Sequence, residues 1–276
     1  MVHWHIITGE YPPQPGGVSD YSRLVALGLA GDGAGDEVHV WAPAWHDRSA
    51  PTPEDPGVTV HRLPDHFGPK SLKRLGAELD RLPGPRRLLL QYVPHAFGYR
   101  GMNVPLTLWL ARRGRRDEVW AYFHEVAMTW APGQPASHRV LALVTRFMAD
   151  RVARSAHRRL VAIPTWEKML RERSPGLGLI EWQPVPSNIP VIEDPAGVAE
   201  IRSRFGQEHW LVGHFGTFGS FVAQSLDRLL PRLIQESPRP IHILLLGRGN
   251  TDFRERFVRE HPELAASLQA TCPLNT

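Results

Sequence analysis

The sequence contains a single cysteine, Cys272, among 276 residues. One thiol forms no disulfide within the chain and builds no cysteine metal cluster, which indicates a reducing compartment. The longest apolar runs, such as residues 243–246, fall far short of the roughly 20 residues that a membrane-spanning helix needs. The first seven residues also lack the basic start and the apolar stretch of a signal peptide. We therefore expect a cytoplasmic protein.

Several motifs of common α/β enzymes are also missing. No G-x-G-x-x-G follows the first apolar run, which argues against a dinucleotide-dependent dehydrogenase, and no G-x-x-x-x-G-K-[ST] supports a P-loop protein. No G-x-S-x-G is present, so a serine hydrolase with a nucleophile elbow is disfavoured. No Asp-x-Asp pair and no His/Cys cluster shows metal-ligand spacing, so the sequence predicts no metal site.

The chain does contain a regular alternation of short apolar runs and longer helical patterns. Several runs are nearly continuous in apolar residues, as expected for parallel strands covered on both faces. The alternation predicts an α/β fold with doubly wound sheets, in which ligands bind beyond the carboxyl ends of the strands. The predicted strands are 3–8, 37–42, 58–63, 88–93, 118–124, 159–164, 209–215 and 241–247; the predicted helices are 18–30, 69–82, 104–113, 137–155, 165–173, 196–205, 221–236 and 252–260.

A proline-rich segment at residues 183–190 interrupts this alternation. Its prolines, Pro184, Pro186 and Pro190, cannot continue a helix or a central strand. The strand–helix rhythm then starts again near residue 210. We therefore predict two Rossmann-like domains, residues 1–185 and 186–276, with a third strand of the second domain near 267–274.

The loop behind the first predicted strand, residues 8–21, contains the pair Gly16 and Gly17. Glycines let the backbone approach a ligand closely, and the helix that starts there offers unpaired N–H groups and the positive end of its dipole to a diphosphate. The alternative is a tight turn in which Ser19 or Asp20 caps the helix. The residues themselves leave both readings open.

Two loops of the second predicted domain also place glycines where a parallel strand ends. The first holds Gly216 and Thr217, and the second holds Gly247, Arg248 and Gly249. Arg248 either pairs with a phosphate or is simply exposed. Glycine is common at such turns in any doubly wound sheet, so neither loop alone defines a function.

Five segments of the chain form a recognisable series. They are Glu-Tyr-Pro-Pro-x-x-Gly-Gly-Val at 10–18, Leu-Gln-Tyr-Val-Pro-His-Ala-Phe-Gly at 90–98, Phe-His-Glu at 123–125, Pro-Ser-Asn-Ile-Pro at 186–190 and Gly-His-Phe-Gly at 213–216. Taken in order, they resemble the family-four retaining glycosyltransferases of the GT-B fold (glycosyl transferase group 1 type). This resemblance extends over essentially the whole chain. It implies a Rossmann-like N-terminal domain, a second Rossmann-like domain, and transfer of a sugar from a nucleotide-sugar donor to a hydroxyl acceptor with retention of configuration. It also implies that no metal or cofactor is essential.

The resemblance also assigns roles to individual residues. Gly16 and Gly17 would face the donor diphosphate and the acceptor, and His124 would hydrogen-bond the transferred sugar or a developing charge. From spacing alone, His124 equally well ends a strand as a satisfied core histidine. The remaining assignments are Gly216, Thr217, Gly247, Arg248 and Gly249 on the donor side, and Glu10, Tyr21, Tyr92 and His95 on the acceptor side.

The sequence departs from the family pattern in its second domain. The family places a basic pair after the first strand, whereas residues 216–221 contain no Lys or Arg, and the nearest cations are Arg228 and Arg248. The family's Glu-x(7)-Glu motif is also missing, because the pairs Glu200/Glu208 and Glu255/Glu263 have its spacing but not its position. We therefore expect an incomplete second domain in a C-terminally truncated chain with impaired transferase activity. The alternative is a catalytically silent nucleotide-binding or assembly module.

Three expectations concern partners. A three-stranded second sheet with an open edge predicts self-association.

The predicted helix at 137–155 is basic on one side. Arginines recur between Arg139 and Arg159, on the helix and just after it. The other side is apolar, at Val140, Val144, Phe147, Met148 and Val152. Such a helix either rests on the anionic inner face of a membrane or simply has a solvated basic side. The net charge of +4 comes with no aromatic-basic motif of nucleic-acid binding, so we expect no nucleic-acid partner.

Overall fold

The computed structural model describes residues 2–45, 54–82, 84–189, 191 and 193–271. It divides into two compact units, Met1–Ile189 and Pro190–Thr276. Each unit contains one parallel sheet with helices between its strands, which confirms the predicted α/β fold. Cys272 lies outside the described residues.

The first unit has a seven-stranded sheet in the order β3-β2-β1-β4-β5-β6-β7, and every adjacent pair is parallel. The strand order reverses between β1 and β4, so the loops that follow these two strands lie at a topological switch point, where ligands of doubly wound sheets bind. The strands are β1 His3–Thr8, β2 Glu37–Pro43, β3 Val58–Phe67, β4 Arg86–Tyr92, β5 Glu118–Phe123, β6 Arg158–Val161 and β7 Glu181–Trp182; the helices are α1 Gly17–Ala30, α2 Pro69–Arg81, α3 Val104–Arg113, α4 Ala136–Ser155 and α5 Pro164–Arg173.

Both faces of this sheet are covered, which explains the continuous apolar runs in the sequence. All six residues of β1 are buried. Because side chains alternate along a strand, Ile6 packs into the cluster beside α1, whereas Ile7 packs into the cluster formed with α2 and α3. The central strands are therefore fixed from two sides.

The predicted strands and helices are all present, with two informative differences. Strand β3 continues to Phe67, past Pro64, because it lies at the edge of the sheet, where a missing backbone N–H breaks no ladder on the outer side. Strand β7 was not predicted. It contains only Glu181 and Trp182 and is too short to produce a period-two pattern.

The second unit has a three-stranded parallel sheet in the order β10-β9-β8. Its core consists mainly of side chains from β9 and from the helices that follow β8 and β9, including Leu230, Leu245 and Phe257. Strand β8 is poorly covered, since Phe215 is 61% exposed. The last strand is described for only three residues, and residues 272–274 of the predicted strand lie outside the described part. The elements are α6 Pro195–Ser203, β8 Trp210–Phe215, α7 Ser220–Gln235, β9 Ile241–Leu246, α8 Asn250–Glu260 and β10 Leu268–Ala270.

The described part of the proline-rich segment, 183–189, is bonded to the first unit. The Tyr122 hydroxyl donates to the carbonyl oxygen of Gln183 at 2.5 Å. The Asn188 amide donates to Asp20 in the first turn of α1 at 3.2 Å. The segment therefore runs beside the carboxyl edge of the first sheet as far as the start of α1; Pro190 lies outside the described residues.

The apolar face predicted for helix α4 is only partly the face that is buried. Met148 and Val152 are buried as expected, but Val140 is 54% exposed and Phe147 is 46% exposed. The core-facing stripe is narrower and contains small side chains, with Ala142 and Ala149 aligned with Val152 at helical spacing. Val140 and Phe147 lie on a neighbouring stripe that stays about half exposed. Across the described residues, no helix combines the length and apolarity needed to cross a membrane.

Candidate functional site

The loop between β1 and α1 is held in place by buried polar contacts. The Thr8 hydroxyl donates to the carbonyl oxygen of Glu10 at 2.9 Å and accepts from the Ser22 hydroxyl at 3.1 Å. The Tyr11 side chain is fully buried, and its hydroxyl donates to Asp55 at 2.8 Å. The loop is therefore anchored at both the strand and its own centre, which is what preorganised ligand contacts require.

The first turn of α1 is capped by Glu10. One oxygen of its carboxylate accepts a hydrogen bond from the Ser19 N–H at 3.0 Å. The N-cap position itself is Gly16, which has no side chain to contribute, so the alternative that Ser19 or Asp20 caps the helix is wrong. A Cβ on Gly16 would lie 2.4 Å from Oε1 of Glu10, whereas a Cβ on Gly17 would meet nothing within 4 Å.

The backbone amides of the same turn are only partly used. The Ser19 N–H bonds Glu10, and the Asp20 N–H bonds the carbonyl oxygen of Gly16 at 3.1 Å. Among the described residues, the amides of Gly17 and Val18 have no hydrogen-bond partner. These two N–H groups remain for a ligand at the positive end of α1.

His124 follows β5 and lies close to Gln91, the penultimate residue of β4. Nε2 of His124 is 2.7 Å from Oε1 of Gln91, and Trp166 donates from its indole to the His124 carbonyl oxygen at 2.7 Å. Burial lowers the pKa of His124 to about 4, so the imidazole is neutral at pH 7. With its proton on Nε2 donated to Gln91, the ring keeps a lone pair on Nδ1, which suits a sugar hydroxyl better than a developing negative charge.

Aromatic rings surround His124. The Tyr21 ring meets it edge-on at 5.1 Å between centroids, and the Tyr122 ring lies 4.5 Å away. Burial raises the pKa of Tyr21 above its ordinary value, so its hydroxyl stays protonated and donates hydrogen bonds. A cavity of about 180 Å³ lies beside these rings and is lined in part by Tyr21, Gln91 and Tyr122.

The other two residues that we expect on the acceptor side, His95 and Tyr92, differ sharply in exposure. The His95 side chain is 57% exposed, and its Nδ1 lies 3.5 Å from a carboxylate oxygen of Glu125. Tyr92 is fully buried and packs edge-on against Phe123 at 5.2 Å. His95 therefore lies at the open carboxyl edge, whereas the Tyr92 side chain belongs to the core.

Sequence reasoning missed the role of Gln91. The available signal was a polar residue at the end of the apolar run 88–90. Its side chain is 1% exposed, and a buried amide requires hydrogen-bond partners. Only the pairing of β4 with β5 shows that His124 is one of these partners.

The second unit gathers its predicted glycines at the carboxyl edge of its sheet. Gly247 has a φ of +115°, and a Cβ there would lie 2.0 Å from the carbonyl oxygen of Gly216. The loops after β8 and β9 therefore touch through their backbones, and only glycine fits. The exposed residues Thr217, Arg248 and Gly249 lie in the same two loops.

Helix α7 begins at this edge with an open N-terminus. Its N-cap residue is Gly219, which supplies no side-chain cap, and its first turn contains no acidic residue. Helix α8 also starts after a glycine, Gly249, but has Asp252 in its first turn. The start of α7 is therefore the better of the two for an anion, because nothing in its own turn opposes negative charge.

Neither a protein-family model nor a curated protein sequence matches the chain. Solved structures do. A glycosyltransferase from Rickettsia africae matches with a TM-score of 0.58 at 10% identity, over 99% of this chain and 68% of the other. The lipopolysaccharide outer core galactosyltransferase WaaB gives 0.57 at 10% identity, over 98% and 67%. MurG of Acinetobacter baumannii gives 0.52 at 14% identity, over 100% and 69%. The similarity is one of fold, and the fold of this chain is that of the GT-B glycosyltransferases.

Proposed function

We propose that this protein transfers a sugar from a nucleotide-sugar donor to a hydroxyl acceptor, with retention of configuration, in the cytoplasm. The observation that carries the proposal is the open N-terminus of α7 beside the touching glycine loops, in a fold shared with glycosyltransferases. A nucleoside diphosphate is the leaving group of such a reaction, and an anion-binding helix start is what it needs.

The donor phosphates bind the second unit in this proposal. Amides of the first turn of α7 receive the diphosphate, and Thr217 and the exposed Arg248 add hydrogen bonds from the adjoining loops. The amides of Gly17 and Val18 in the first unit also lack partners among the described residues, but the neighbouring Glu10 carboxylate makes that position less favourable for an anion.

The sugar and the acceptor use the carboxyl edge of the first unit. Neutral His124 accepts a hydrogen bond from a sugar hydroxyl, and Tyr21 donates one. The anchored loop with Glu10, together with His95, binds the acceptor side. Catalysis then depends on positioning and on electrostatic stabilisation of the departing diphosphate.

The test is release of nucleoside diphosphate by the purified chain with a panel of UDP-, GDP-, ADP- and dTDP-sugars. Release that depends on a hydroxyl acceptor supports the proposal, and the anomeric configuration of the product, read by NMR, tests retention. Binding of a nucleotide sugar without release would instead identify a catalytically silent binding module. If no donor is bound and none releases a nucleoside diphosphate, the proposal is overturned.

A charge placed at α7 tests the donor site directly. Thr217→Glu adds a carboxylate beside the start of the helix and should weaken nucleoside diphosphate binding at least 10-fold. Gln235→Glu adds the same charge to the exposed last residue of that helix and serves as the matched control. Equal affinities of the two variants would show that the phosphates bind elsewhere.

We also propose that α4 contacts an anionic membrane surface. Val140, Leu143 and Phe147 follow one another at helical spacing and are 46–54% exposed. A cavity of about 500 Å³ lies at the C-terminal end of the helix. Four arginines line it and make this part of the surface positively charged: Arg112, Arg115, Arg151 and Arg154. Apolar side chains beside arginines are typical of helices that lie in a lipid interface.

Flotation with vesicles of phosphatidylglycerol and phosphatidylcholine tests this contact. Leu143→Ser/Phe147→Ser should reduce the floating fraction several-fold, because buried apolar area drives insertion. Leu179→Ser, on an exposed residue outside α4, is the control. Flotation that is equal for the wild type and the double variant would exclude α4 as the contact.

A further inference from the structure

A group of polar side chains lies on one face of the first sheet, near the amino ends of the strands and opposite the carboxyl edge described above. His3 is on β1, and Glu37 and His39 are on β2. Oε2 of Glu37 lies 3.1 Å from Nδ1 of His3 and 3.8 Å from Nε2 of His39. The three atoms all lie within 4.8 Å of one another.

These distances suit a tetrahedral metal ion. With bonds of about 2.0–2.1 Å, a tetrahedral zinc ion separates its ligand atoms by about 3.3 Å. The observed separations of 3.1 and 3.8 Å lie on either side of that value. Metal binding would change these two separations by only a few tenths of an ångström, and the third, between His3 and His39, is within 4.8 Å.

Strand pairing holds the three groups together. In the parallel ladder of β1 and β2, His3 pairs with Glu37 and His5 pairs with His39. Residues two apart on a strand face the same side, so Glu37 and His39 project together. The ligand set is thus built on two adjacent strands of a covered sheet, which preorganises it.

The environment of His39 points to a missing partner. Its Nε2 is buried and has no hydrogen-bond partner among the described residues. Its Nδ1 lies 3.1 Å from Nε2 of His61. When Nδ1–H of His39 donates to His61, its Nε2 keeps a lone pair that faces the Glu37 carboxylate. A cation between the imidazole nitrogen and the carboxylate would bind both of them. Metal-bound histidines commonly donate their second ring N–H to a nearby acceptor, and Nε2 of His61 lies where such an acceptor is needed.

We infer that His3, Glu37 and His39 bind a divalent transition metal of the zinc, cobalt and nickel class. Two imidazoles and one carboxylate are typical ligands for these ions. The Glu37 side chain is 57% exposed, so the ion enters from solvent and a water molecule completes the tetrahedron. Simple pairing of His3 with Glu37 leaves Nε2 of His39 without a partner, whereas the metal satisfies all three groups.

No local sequence pattern indicates this site, because 34 residues separate His3 from Glu37. The spacing of potential ligands along the chain therefore predicts no metal site. The site also lies at the opposite end of the strands from the loops of the proposed transferase function. Its occupancy is expected to stabilise the pairing of β1 with β2 and to leave the proposed donor binding to α7 unchanged.

Cobalt titration tests the inference with the untagged, metal-stripped chain. We expect one equivalent of Co²⁺ to bind with the visible absorption of a tetrahedral ion, and Zn²⁺ to displace it. His39→Gln and Glu37→Gln should each weaken binding at least 10-fold. His138→Gln, which removes an exposed histidine outside the site, should leave binding unchanged.

Circular dichroism of each variant shows whether the fold is retained. If His39→Gln fails to fold, Glu37→Gln decides, because its side chain is largely exposed and both imidazoles remain. Absence of one-equivalent binding, or an affinity that a folded Glu37→Gln variant leaves unchanged, would overturn the inference.

Discussion

The carboxylate of Glu10 bonds the backbone N–H of Ser19 at 3.0 Å, so an anion from the chain itself occupies part of the α1 N-terminus. Gly16 makes room for that carboxylate, since a Cβ there would lie 2.4 Å from it. The glycine pair that first suggested a phosphate site is therefore needed by an internal cap as well. This arrangement moves the main donor-phosphate role in our proposal from α1 to α7.

Removing the Glu10 cap should destabilise the first unit. Glu10→Ala is expected to lower its free energy of unfolding by about 1 kcal/mol, and Glu10→Gln by less, because an amide oxygen still accepts from Ser19. Urea unfolding followed by tryptophan fluorescence measures the change, since every tryptophan except Trp210 lies in this unit. Glu172→Ala, at an exposed site on α5, is the control. Equal effects at the two positions would contradict the capping role.

The proposed transfer should not depend on protonation of His124 near neutral pH. Its pKa of about 4 keeps the ring neutral between pH 5.5 and 7.5, so no inflection in kcat from this group is expected there. His124→Ala should lower kcat at least 10-fold, because the sugar loses a hydrogen-bond acceptor. His138→Ala is the control. An inflection near pH 6.5 that disappears in His124→Ala would show that the charged ring takes part.

Acid should destabilise the first unit through the same histidine. Burial lowers the His124 pKa from 6.5 to about 4, so the unfolded chain binds more protons than the folded one in that interval. The stabilisation is complete above pH 6.5, falls as the pH drops, and levels off below about pH 4. His124→Asn should lose less stability than the wild type, by an amount on the order of 3 kcal/mol across the interval. Parallel urea midpoints from pH 7 to 4 for both proteins would argue against a buried neutral His124.

The contact between Gly216 and Gly247 should not tolerate a side chain. Gly247→Ala places a methyl group against the carbonyl oxygen of Gly216 at a positive φ, and should destabilise the second unit by roughly 2 kcal/mol or more. Gly219→Ala, at the N-cap of α7 where a Cβ would meet nothing within 4 Å, should cost about 1 kcal/mol or less. Hydrogen exchange of the β8 and β9 amides measures both. Similar exchange in the two variants would contradict the close approach.

Much of the fold followed from local patterns. The apolar runs of β1 and β9 form parallel strands, as predicted. Helix α2 starts at the predicted Pro69, and helix α1 ends at the predicted Ala30, just before Gly31. The side of a helix that faces the core was harder to predict. In α4 the stripe with Val140 and Phe147 is as apolar as the stripe with Met148, so only packing against the neighbouring elements shows which one is buried.

The candidate site was predicted as a set of loops and not as a set of contacts. The strand ends placed His124 and Gly16 at the carboxyl edge, because parallel strands end together. The cap by Glu10 and the bond from His124 to Gln91 depend on side-chain directions, and those are set by strand register and neighbouring side chains. The same holds for Tyr92, whose place in the core follows from its packing on Phe123.

The sequence by itself therefore determined the alternation of strands and helices, the glycine loops and the resemblance that they carry. These features depend on residues close together in the chain, where apolar periodicity and turn chemistry act directly. The tertiary structure alone decided which distant side chains meet. His3 and His39 share Glu37 because the ladder of β1 and β2 sets them side by side, and hydrogen bonds between strands leave no trace in the local sequence.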